Sequence, residues 1–112
     1  MTPATVQHAF ARAGVPIVRY AQGRAPALCD AHSCSGLDYA GGGIVAYLAP
    51  RTGPAFEVIV FRTRADATQI ASLFRPGGRI RARRRGPLVL FTIRTTAHLR
   101  RVLAAFVAAS RA

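Results

Sequence analysis

The sequence predicts an α+β fold, a two-layer sandwich in which an antiparallel sheet of four or five strands carries three helices on one face. Three observations point there. Short apolar runs of strand length alternate with turns marked by Gly and Pro. Apolar residues recur at helical spacing near both ends of the chain and once in its middle. The chain also repeats itself: shifted by 32 positions, Phe61-Arg62-Thr63 falls on Ile93-Arg94-Thr95, Ala65 on Ala97, Ile70 on Val102 and Phe74 on Phe106. The repeat reads as two strand–strand–helix units, about 44–74 and 79–110, within a single domain spanning 1–112. Neither unit could bury its apolar face alone.

Taken in order, Thr2-Pro3 opens a helix, with Thr as N-cap and Pro at the first helical position. Val6, Phe10 and Ala13 form its apolar face, and Gly14 is placed to close it. Ile17 to Tyr20 reads as a short strand after Pro16. A loop follows from Ala21 to Gly43, of a length that inside a compact domain is usually functional, disordered or held by a cross-link. Ile44 to Leu48 is a strand, and Phe56 to Arg62 is a second, nearly all apolar and so placed centrally in the sheet. Thr63 or Asp66 caps a helix carrying Ile70, Leu73 and Phe74, which Pro76-Gly77-Gly78 ends. Arg79 to Arg85 and Leu88 to Arg94 form a hairpin across Gly86-Pro87. Thr95 or Thr96 then caps a long helix with Leu99, Val102, Leu103, Phe106 and Val107 on its stripe.

Composition bounds what the chain can be. Over 112 residues it is 51% hydrophobic with a mean hydropathy of +0.22, which argues against disorder. No apolar run approaches the roughly 18 residues of a membrane span. The N-terminus lacks the basic and apolar segments of a signal peptide. Met1 as the native start would place the chain in the cytoplasm, whereas a start elsewhere would favour an extracytoplasmic domain. The net charge is +12, and all sixteen basic residues are arginine. A surface of that sign should attract an anionic partner: nucleic acid, anionic lipid or an acidic protein.

Arg79, Arg81, Arg83 and Arg85 alternate with Ile80, Ala82 and Arg84, which on a strand puts four guanidinium groups on one face. The functional reading is a track for phosphate groups, nucleic acid above all. The bland reading is an edge strand whose charges discourage pairing with another sheet. No Trp is present, the phenylalanines fall at core positions, and only Tyr20, Tyr39 and Tyr47 remain as stacking candidates.

Cys29-Asp30-Ala31-His32-Ser33-Cys34 is the one cluster with metal-ligand chemistry. Cys29, His32 and Cys34 suit zinc, with a fourth ligand to come from Asp30, Asp38, His8 or His98. A disulfide between Cys29 and Cys34 and a pair of free thiols are the competing readings. Gly41-Gly42-Gly43 precedes a strand, not the helix a phosphate cradle needs, and so reads as a turn. The four carboxylates, Asp30, Asp38, Glu57 and Asp66, show no spacing that pairs them for acid–base work. Glu57 interrupts an apolar strand and so faces solvent, pairs with an arginine or is a buried site residue, the first two being much the commoner. His8 and His98 read as helix-surface side chains. The chain is therefore read as a non-enzymatic binding or interaction domain, without a cofactor unless zinc occupies the Cys-His loop.

Ala13-Gly14-Val15-Pro16-Ile17, the Val58-to-Thr63 strand entering an Ala-containing helix, Arg84-Arg85-Gly86-Pro87-Leu88 and Val102-Leu103-Ala104-Ala105-Phe106 together resemble a loose class of proteins. These are uncharacterised small α+β domains of GC-rich actinobacteria, often found behind a signal peptide, lipoprotein anchor or membrane helix. The resemblance covers about three quarters of the chain and implies a fold of this class. It brings no functional residue with it.

Overall fold

The computed structural model describes residues 1–20, 43–51 and 55–112. Among these the elements run α1 (Pro3–Arg12), β1 (Val18–Arg19), β2 (Ile44–Ala49), β3 (Phe56–Phe61), α2 (Arg64–Ser72), β4 (Ile80–Arg85), β5 (Leu88–Ile93) and α3 (Leu99–Ser110). The chain is α+β, with three helices and one five-stranded sheet in the order β1-β2-β3-β5-β4. Every strand pairing is antiparallel. The two hairpins, β2–β3 and β4–β5, therefore meet along β3 and β5, and β4 forms one edge. Cys29, His32 and Cys34, the loop they sit in, Tyr39 and Gly41-Gly42 lie outside the described residues, and with them the zinc and disulfide readings.

The central strands explain the layering. All six residues of β3 are buried, as are the first five of β5, so both faces of the sheet centre must be covered. On one face Phe56, Val58, Val60, Leu88 and Leu90 pack with Val6 and Phe10 of α1 and Val102, Ala105, Phe106 and Ala109 of α3. On the other, Ile59, Phe61, Val89 and Phe91 pack with Ala67 and Ile70 of α2. This corrects the two-layer expectation: the helices do not share one face, and the sheet is the middle of three layers. The repeated strands keep the expected equivalence, Phe56 and Leu88 facing one way and Ile59 and Phe91 the other. The repeated helices do not.

Local signals account for where the helices start. Thr2 caps α1 in a reciprocal box with Thr5, and Gln7 Nε2 donates to the Ile17 carbonyl at 3.0 Å, tying α1 to the following strand. Thr63 caps α2, its Oγ1 accepting from the Asp66 amide at 3.1 Å. Neither Thr95 nor Thr96 caps α3. The Thr96 hydroxyl instead accepts from the Ile93 amide at 3.0 Å and donates to the Ala55 carbonyl at 2.7 Å, which pins the chain as it leaves β5. The helix begins three residues later, after His98 in the left-handed conformation at φ 53°. That longer connection is how α3 reaches the face opposite α2. Leu73 also departs from expectation: it terminates α2 at 59% exposure. Phe74 continues past it to meet Phe91 edge-on at 5.1 Å.

Candidate anion-binding groove

Register fixes which way the β4 side chains point. Arg81 lies opposite Thr92, Arg83 opposite Leu90 and Arg85 opposite Leu88, all on the face covered by α1 and α3. Ile80, Ala82 and Arg84 lie opposite Ile93, Phe91 and Val89 on the α2 face. The alternation read from sequence is therefore present, on an edge strand.

The structure divides the four arginines between two places. Arg79, Arg81 and Arg83 line an open groove of about 740 Å³ with Thr92, Arg94, Thr95 and Leu99. Arg83 Nη1 donates to Thr92 Oγ1 at 3.0 Å, which holds the guanidinium over the sheet. Loss of water, and then the neighbouring Arg81 charge, push the Arg83 pKa below the usual arginine value. Arg85 turns away, its Nε donating to Ser110 Oγ of α3 at 2.9 Å. It lines a smaller recess of about 360 Å³ with Arg64, Arg84 and Arg111 around the Gly86 turn.

Among the described residues, neither site is lined by a carboxylate. Of the acidic residues described, Glu57 is 1% exposed, inside the sheet rather than at solvent, and Asp66 sits in the first turn of α2. Clustered arginines with no carboxylate among the described lining residues form a positive field that favours an anion. Thr92 and Thr95 add neutral hydroxyls, and the threonine–arginine rim suits phosphate or carboxylate oxygens. Among the described residues, no aromatic side chain lines the groove.

Sequence reasoning missed Arg94, Thr92 and Thr95 at the groove, although the repeat had aligned Arg94 with Arg62. They arrive from β5 and its exit, across the hairpin. His8 is exposed on α1, and His98 is exposed at the start of α3 rather than within it. Among the described residues there is no group of three or more potential metal ligands, and no helix is long and apolar enough to cross a membrane. No family model, curated protein or solved structure matches the chain.

Proposed function

We propose that the protein is a non-enzymatic binding domain that takes a linear polyanion in the groove between β4 and the start of α3. The observation that carries this reading is the convergence of Arg79, Arg81, Arg83 and Arg94 on one open groove that, among the described residues, no carboxylate lines. Same-face residues of a strand are about 6.6–6.8 Å apart, a spacing that lets successive guanidinium groups follow successive charges of an extended chain. Among polyanions, the nucleic-acid backbone is the partner we favour. Contact would be through phosphates and independent of sequence, because the described lining residues supply guanidinium groups and no aromatic side chain to stack on a base.

The test is fluorescence anisotropy with a labelled single-stranded oligonucleotide across a salt series. Arg81→Ala with Arg83→Ala should weaken binding at every sequence tried. The double variant should also flatten the slope of log K against log salt by about 0.7 for each phosphate it no longer neutralises. Unchanged affinity and slope would overturn the groove as the contact surface. Polyglutamate binding as tightly as the oligonucleotide at equal charge would move the reading to an acidic protein partner.

A further inference from the structure

We infer that a second cavity, at the N-terminal end of α3, binds a small amphipathic carboxylate, a single acid group on an apolar chain. The cavity is an open cleft of about 550 Å³, within the roughly 300–1,000 Å³ of small-molecule sites. It shares no lining residue with the arginine groove and stands independently of that reading. Its walls are hydrocarbon: Val15, Phe56 and Val102 are buried residues that line it, joined by half-buried Val18. Its lip is cationic, with exposed Arg51 and Arg101 and, among the described residues, no acidic side chain lining it. The Arg101 stem comes close to Gly14, its Cδ 4.0 Å from where a Cβ on Gly14 would stand.

The backbone adds to this polarity. His98 is the only non-glycine at positive φ among the described residues, a conformation that costs energy and is kept where something fixes it. It opens α3 at the cavity with no side chain capping the first turn, leaving amide dipoles there to favour a negative group. A multiply charged ligand would strand charge against Val15 and Phe56. A purely apolar one would leave the two guanidinium groups unanswered. One carboxylate, held by the Arg fork with its chain against the valines, satisfies both.

The experiment is titration of ¹⁵N-labelled protein with decanoate, decanol and acetate, each below any micellar concentration. Decanoate should shift the amides of Val15, Val18 and Val102 saturably. Decanol should bind at least about tenfold more weakly, and acetate should leave these amides unmoved. Arg101→Gln should weaken decanoate about tenfold and leave decanol as it was. Ala97→Trp, placed at the exposed lip, should abolish both. The inference is overturned if decanoate shifts spread over the arginine-rich surface, if decanol matches decanoate, or if the Ala97→Trp protein still binds. Should that variant not fold, the Arg101→Gln comparison decides alone: equal losses of decanoate and decanol would mean no headgroup contact.

Discussion

Arg83 is half-buried beside Arg81, and both lost hydration and the neighbouring charge oppose its protonated form. A base whose folded pKa is depressed destabilises the fold while it is charged, and the cost is relieved only as pH rises through that folded value. Arginine stays charged across the neutral range, so the cost is constant there and stability should not vary with pH on its account. Arg83→Gln, which keeps a donor for Thr92, should therefore stabilise the free protein by up to about 1 kcal/mol while weakening polyanion binding. Urea denaturation between pH 6 and 9 checks the stability and its flat pH dependence; a destabilised variant would show that Arg83 is held by packing instead. Thr96→Val should cost about 1–3 kcal/mol, because the Ile93 amide and Ala55 carbonyl both lose their partner in a nearly closed site. Phe61 and Phe106 are each 2% exposed, on opposite sides of the sheet. Either one changed to Ala should cost about 3–5 kcal/mol, and losses below about 1 kcal/mol for both would contradict the layering.

At the scale of elements, helices were legible from apolar residues at a period of 3.6, and strands mostly from short apolar runs bounded by Gly and Pro, with alternation only in β4. Which face of the sheet each helix covers was not. Phe56 to Phe61 is apolar on both sides, so periodicity names the buried stripe of a helix without saying which side of such a strand receives it. The repeat suggested that Ile70 and Val102 would be equivalent, and the extra residues from Thr95 to His98 carry them to opposite layers. The groove was half legible for a related reason: alternation in β4 revealed Arg79, Arg81 and Arg83, while Arg94 and Thr92 joined them only through the hairpin register. That register depends on the Gly86 turn. Gly86 sits at φ 59°, and a Cβ there would meet nothing within 4 Å. Gly86→Ala should thus cost only the backbone strain, about 1–2 kcal/mol. Circular dichroism melts would reveal it, and a much larger loss would indicate that the turn's neighbourhood is tighter than its geometry.

For the molecule as a whole, charge is the least balanced quantity. Sixteen arginines stand against four carboxylates, of which Glu57 is buried in the sheet. With so few acidic partners on the surface, ion pairing cannot offset the repulsion among guanidinium groups, which concentrate along β4, its turn and the ends of α3. Screening must then stabilise the fold. The Debye length falls from about 30 Å at 0.01 M to about 10 Å at 0.1 M ionic strength, so repulsion across the width of the domain is strong at the first and largely screened at the second. We expect sodium chloride over that range to add about 1 kcal/mol, visible as a rise of about 4–8 °C in Tm. Sulfate at equal ionic strength should raise Tm further if anions dock specifically in the Arg79–Arg81–Arg83–Arg94 groove, because bound ligand adds to general screening. The Arg81→Ala, Arg83→Ala double variant separates the two effects: it should lose the sulfate excess and keep most of the sodium chloride response. If the excess survives in the double variant, the arginine groove is not where the anion sits. If Tm falls with sodium chloride in the wild type, repulsion among the arginines is not what limits the fold.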